Sequence, residues 1–469
     1  MTFSMENLND DILLLVGNHL ESLEDRYNAI FVNRRFNELF PRSLYRSARL
    51  SSRSQVQSFL KAILLRPSLS GVVRSLDFAN WQNEQNNDFL SADDIALFLQ
   101  CAKTHSVSTE EHAQWKRDLI AGVDEAWTAL LLLTVHNVSK LNLVYPNSLE
   151  SKGYFDRLFE RATTTQQQER ISRRLAFHRL REVSLRQATG EDDVKGTFST
   201  AQVMPFLSMP KLQKLLVDSL VEYFQAPAQE ASEIQSSSLT EINFTTSNGY
   251  TGLSELLSSC PSLTTFKYQH SDAHLLSSGF QPSAFFNTLS TQKSILQTIH
   301  LDNLGEHLPF TIQGVNESYD EPFGSFVEFT ALKDLRIRLP NLLDMQWQLA
   351  FEPSVPLSEV LPISIESLFI ESCKENTLPI LLRQIQSVLD AKDKGKKRFA
   401  ALKNLDIEGV FHDDEEYEPV SGDGDGSNGE GGRVIRPRIY ELVQPLEEAC
   451  EKAGVQFHLR DRACAMTML

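Results

Sequence analysis

No pair of cysteines in this chain is spaced as a CxxC. The five thiols, Cys101, Cys260, Cys373, Cys450 and Cys464, are scattered. A disulfide framework and a zinc knuckle are therefore not expected, and reduced thiols inside a cell are. Long apolar runs are also missing: the longest, Leu130 to Val135, falls far short of the roughly 20 residues that a bilayer crossing needs, and predicts a buried helix instead. The opening residues carry Glu6, Asp10 and Asp11 and no basic stretch ahead of the apolar run, so a secretory signal is not expected and a cytoplasmic or nuclear protein is. An excess of positive charge is lacking too. The net charge of −17 repels phosphate backbones and anionic lipid surfaces, which argues against nucleic acid and membrane partners.

Catalytic motifs are absent. There is no GxxxxGK[ST] loop to cradle phosphate, no GxSxG elbow and no HExxH pair, so no enzyme, cofactor or metal is expected. His270 and His274 stand four apart but have no third ligand nearby. The run Asp423, Asp425, Ser427 imitates the start of a calcium loop, yet Asn428 and Val434 occupy the places that need glycine and glutamate. The segment 412–433 is acidic and glycine-rich, too polar to bury a core, and is expected to be a disordered insertion. Two basic runs, 170–181 and 392–398, read as solvated faces, as holds for an acidic partner or as an import signal.

What is present begins with three short helices. Leu8, Ile12, Leu15, Val16 and Leu20 fall at helical spacing behind Asn9, a capping residue type, with Asp10 and Asp11 in the first turn. Ser22 opens a second helix through Tyr27, Ile30 and Phe31. Asn33 caps a third, RRFNELF, which Pro41 ends. So small a bundle buries little of its own apolar surface, so part of it must pack on a neighbouring domain or a partner.

Further along, a hexapeptide recurs in the form apolar-x-x-apolar-x-apolar. It reads VRSLDF at 73, VSKLNL at 138, LREVSL at 180, LQKLLV at 212, LTEINF at 239 and LTTFKY at 263. It continues with LQTIHL at 296, LKDLRI at 332, IESLFI at 365, LKNLDI at 402 and GVQFHL at 454. Most intervals from the third copy onward leave room for one strand, one helix and two turns. In each strand the first, fourth and sixth residues face a helix layer, and the alternate residues face outward. Parallel strands follow, with helices such as those in TGLSELLSSCP and NTLPILLRQIQSVLDA between them.

The string LNDDILLLVGNHLESLEDRYNAIFVNRRFNELFPRSLYRSARL closely resembles the F-box, and the recurring hexapeptides resemble degenerate leucine-rich repeats. Asn9 stands where the F-box usually has proline, and Cys373 alone clearly matches the asparagine or cysteine that usually follows each repeat strand. The resemblance implies an α/β chain with a three-helix F-box at 1–50, a linker helix at 51–70 and a curved solenoid at 71–469, with strands on its concave face and helices on its convex face. It also implies a substrate-recognition subunit of an SCF-type ubiquitin ligase. Leu8, Asp11, Ile12, Leu20 and Leu23 would dock a Skp-type adaptor and through it a cullin, with Val32 and Phe36 nearer the hook's own core. A target protein would bind Asn142, Arg181, Ser184, Asn243, Lys267, His300, Arg336, Phe369 and Asp406 on the concave face, where Phe369 is a candidate anchor. The alternative is an interaction scaffold that uses the same surfaces outside ubiquitin transfer.

Overall fold

The recurring hexapeptides become parallel strands because their three apolar positions can be buried together only when the strands lie in register. In the computed structural model, the first ten copies hold all thirty of those positions at 1% exposure or less. Such uniform burial is what a continuous wall of interlocking side chains requires. The structure describes residues 8–20, 22–79, 90–146, 153–168, 177–188, 196–222, 236–249, 251–271, 280–303, 321–344, 352–393, 398–412 and 434–461. The chain divides into two compact units, one of residues 1–219 with 232–239 and one of 220–231 with 240–469.

The first unit opens with α1 (Asp10–His19), α2 (Leu23–Ile30), α3 (Arg34–Leu39) and α4 (Pro41–Leu44). The capping residues act as the sequence predicts at two of three helix starts. The Ser22 hydroxyl accepts from the amides of Glu24 and Asp25, and Asn33 Oδ1 accepts from the Phe36 amide at 2.8 Å. Asn9 occupies the N-cap position, but its side chain makes no capping bond. Pro41 both ends α3 and begins α4, where the missing amide proton costs nothing. Leu13, Phe36 and Phe40 form the small core of this bundle, with Leu8, Ala29, Ile30 and Leu39 against its edge. Val32, expected near that core, is instead 63% exposed because it sits in the turn beyond α2.

The sheet of this unit starts earlier than the recurrence suggests. Strand β1 (Ser47–Leu50) pairs in parallel with β2 (Ser75–Phe78), although Ser-Ala-Arg-Leu lacks the apolar triplet and lies within the stretch expected to be helical hook. The stretch at 51–70 is α5 (Arg53–Leu65), which buries Val56, Leu60 and Ile63, followed by a turn of 3₁₀ helix at Pro67–Leu69. It packs beside a later helix of the same layer and so serves as the first repeat helix. Strands β3 (Lys140–Tyr145), β4 (Glu182–Gln187) and β5 (Lys214–Asp218) continue the sheet in sequence order, every pair parallel. Between them run α6 (Ala92–His105), α7 (Thr109–Ala121), α8 (Asp124–Thr134), α9 (Tyr154–Gln168) and α10 (Thr200–Leu207). The Leu-rich run does form a buried helix: α8 buries residues all round its circumference, with α5, α7 and α9 as neighbours.

The second unit repeats the plan with β6 (Glu241–Ser247), β7 (Thr265–His270), β8 (Thr298–Asn303), β9 (Asp334–Arg338), β10 (Ser367–Cys373), β11 (Asn404–Gly409) and β12 (Gln456–Asp461). These are again parallel and paired in sequence order. Its helices are α11 (Ser254–Ser258), α12 (Pro282–Leu289), α13 (Leu339–Leu342), α14 (Leu357–Val360), α15 (Leu378–Asp393) and α16 (Pro437–Lys452). Consecutive helices pack on one another, α11 on α12, α14 on α15 and α15 on α16. The eleventh hexapeptide departs from the rest. Phe457 and Leu459 of β12 are only half-buried, since among the described residues this strand pairs with a neighbour on one side alone. No helix among the described residues is long and apolar enough to cross a membrane.

Candidate functional site: the open face of the sheet

Alternation within each strand leaves every second side chain on the face away from the buried triplets, and register decides which of those meet. Six of the nine residues expected to meet a target fall into one row of the second unit. Asn243, Lys267, His300, Arg336, Phe369 and Asp406 are successive Cα partners across β6 to β11, and His458 of β12 extends the row. In the first unit Asn142 and Ser184 are likewise partners, and Asn142 Nδ2 lies 3.4 Å from Asp77 Oδ1. Arg181 is exposed but stands one residue before β4, at the strand entry rather than on the face.

Near the end of the row the side chains engage one another. The Arg336 guanidinium lies over the Phe369 ring at 4.5 Å from its centroid, and Arg460 covers the same ring at 5.6 Å. Both arginines are anchored by acids. Arg336 pairs with Glu371 and lies 3.7 Å from Asp302, whereas Arg460 Nε donates to Asp406 Oδ1 at 2.7 Å. His458 Nδ1 stands 3.4 Å from the same Asp406 oxygen, and His300 Nε2 is 2.8 Å from Asp334. Asp406, expected to be a contact residue, is therefore only 7% exposed, enclosed by Arg460 and His458.

Glu371 is the most perturbed group of this cluster. It shares the face of Ser367 and Phe369, yet only 1% of it is exposed. Burial, together with the like charge of Asp302 and a hydrogen bond to it, pushes the carboxyl up to about 8 against the pull of Arg336. Just beyond it the register with β11 shifts between Ile370 and Cys373, with Ser372 in the left-handed region at φ 56°. The cluster thus presents an aromatic ring flanked by two guanidiniums, each bonded to a largely buried acid of the same cluster. Such an arrangement offers flat apolar area and fixed N–H donors to a protein surface. Glu371, Asp302, Arg460 and His458 were not singled out from sequence. Extending the two-residue alternation past the last apolar position, from Phe369 to Glu371, reaches the first of them.

The last residues of three strands make the polar contacts expected of the turns. Cys373 is buried with its thiol near the Ile370 and Glu371 carbonyls. Elsewhere the same job falls to other residue types. Ser247 Oγ accepts from the Leu220 amide at 3.0 Å and donates to Thr245 O at 2.8 Å. His270 Nδ1 meets the Tyr268 hydroxyl at 2.8 Å in a fully buried site, and His274 lies outside the described residues. Among the described residues no group of three or more metal-ligating side chains comes together. The acidic run 413–433, with its calcium-like start, also lies outside them.

A family model described as a leucine-rich repeat domain matches residues 47–407, which begin at the first residue of β1. The chain belongs to the leucine-rich repeat family. No curated protein matches it. The family match extends from β1 to Ile407 of β11, so the row from Asn243 to Asp406 lies on the repeat strands themselves.

A second surface lies on the first two helices, α1 and α2, of this leucine-rich repeat protein. Ile12 is 46% exposed, Leu15 60% and Phe31 66%, and Tyr27 is also largely in solvent. Of the residues expected to dock an adaptor, Asp11 is exposed beside Ile12, while Leu8 and Leu20 are half-buried. The Leu8 carbonyl accepts from Arg35 and the Leu20 carbonyl from Arg26, both at 2.6 Å. The Leu23 side chain lies outside what the structure describes.

Proposed function

We propose that this chain is a non-catalytic substrate-recognition subunit of an SCF-type ubiquitin ligase. In this reading the opening helices form an F-box that binds a Skp-type adaptor, and the open face of the repeats binds a target protein. The observation that carries the reading is the apolar surface on a bundle with a three-residue buried core, where Ile12, Leu15, Tyr27, Phe31 and Val32 all face solvent. Solvated side chains of this size on so small a bundle mark a contact site for a second chain. The flanked ring of Phe369 supports the second half, because rigid aromatics and arginines dominate interface energies. No residue of the chain needs to do chemistry. Holding adaptor and target together raises the target's local concentration beside a ubiquitin-loaded enzyme.

The test is capture of a purified Skp-type adaptor, and of the cullin behind it, by the full chain. Ile12→Asp with Leu15→Asp should abolish capture while leaving the far-UV circular dichroism unchanged, since both side chains are largely solvated. Failure of the unaltered chain to capture the adaptor, or equal capture by the doubly substituted one, would sink the reading.

A further inference from the structure

An acidic protein ordinarily has carboxylates to spare for its arginines, and several of the arginines here are matched. Arg35 pairs with Asp10, Arg53 with Asp124, Arg161 with Glu111 and Arg383 with Glu352. The strand-entry edge of the first unit is different. Arg46, Arg74 and Arg181 each stand one residue before a strand, and backbone bonds of 2.8 Å fix their order: Arg74 N to Arg46 O, Ser139 N to Arg74 O, Arg181 N to Ser139 O. Among the described residues none of these three, nor Arg179 two residues before Arg181, has an ion pair.

We propose that this edge is a binding surface for an acidic peptide segment of a partner protein, gripped by Arg46, Arg74, Arg179 and Arg181. Three features support it. Neighbouring strands lie about 4.8 Å apart, so the three steps from Arg46 to Arg181 span about 14 Å, the length of about four residues of extended chain. Arg74 is pre-positioned, because its Nη1 donates to Gly71 O at 2.7 Å and to Val73 O at 3.0 Å. The cations also crowd one another: burial, then the charges of Arg179 and Arg46, hold Arg74 below the ordinary arginine range. An incoming carboxylate relieves that repulsion and matches the planar guanidinium fork.

The nearby carboxylates are already engaged, Glu182 with Lys140 at 2.6 Å and Asp77 with Arg49 at 3.7 Å. The net charge of −17 selects among anions. A short acidic segment feels chiefly the local cations, whereas a long nucleic acid is repelled by the whole molecule. The inference stands apart from adaptor binding, and its test uses neither adaptor nor cullin.

The probe is a fluorescein-labelled peptide of eight glutamates, titrated with the full chain and followed by anisotropy at low salt. Binding should weaken steeply as salt is raised. Arg46→Glu with Arg181→Glu should weaken it at least about tenfold, because both residues are exposed and two attractions become repulsions. Arg34→Glu with Arg383→Glu alters net charge equally at two paired arginines that are not part of this edge, and should leave affinity within about twofold. The proposal is overturned by absent peptide binding, by equal losses in the two double variants, or by tighter binding of a single-stranded octanucleotide. Unchanged circular dichroism separates lost binding from lost fold.

Discussion

Replacing Glu371 by glutamine keeps the size of a buried side chain and removes its proton equilibrium. In the folded protein the carboxyl sits at about 8 instead of the ordinary 4.5, because burial and Asp302 penalise its charge more than Arg336 favours it. The folded state therefore binds this proton more tightly than the unfolded chain does. The stability it supplies is complete below about pH 4.5 and is lost as pH climbs through 8, a total on the order of 4 to 5 kcal/mol. Glu371→Gln lacks this dependence. Its unfolding free energy, measured by urea denaturation in buffers of equal ionic strength, should gain on the unaltered chain by about 1.4 kcal/mol per pH unit between pH 5 and 8, and then level off. Parallel curves for the two proteins would show that Glu371 ionises normally and that the charge balance drawn around Phe369 is wrong.

Three further outcomes test the rest of the fold. Leu335→Ala removes a fully buried side chain from the triplet of β9 and should cost about 2 to 5 kcal/mol in urea unfolding. A loss below 1 kcal/mol would mean that the wall of triplets is loosely packed. Gly252 has φ +71°, and a Cβ there would come within 2.6 Å of the Ala284 carbonyl carbon in α12. Gly252→Ala should therefore destabilise by more than about 2 kcal/mol, combining left-handed strain with a backbone clash, and a neutral result in thermal unfolding would contradict the packing of α11 on α12. Asn9 has φ −62°, its side chain caps nothing, and its amide donates to no described backbone group. Asn9→Pro should stabilise α1 by about 0.4 to 1 kcal/mol, read as slower amide exchange along that helix.

The recurrence of three apolar residues at fixed spacing was enough to place eleven of the strands and their parallel direction, and the buried faces of ten, because period-two burial against a helix layer leaves no other use for that spacing. Helix caps at Ser22 and Asn33 were equally legible, since they are bonds between residues two or three apart. Strand β1 escaped because its pairing with β2, and not its own composition, makes Ser-Ala-Arg-Leu extended. Val32 was misplaced for a related reason: where an isolated turn residue points depends on helix-to-helix packing.

Sequence by itself determined which side chains leave the core, since that follows from alternation along a single strand. Which of them then meet was decided by register between strands far apart in the chain. Arg336, Phe369, Asp406 and Arg460 are separated by between 33 and 54 residues from one to the next, and only parallel pairing sets them in adjacent places. The shift of Glu371's proton equilibrium is likewise tertiary. It arises from the water excluded around it and from charges on other strands, neither of which any local pattern encodes.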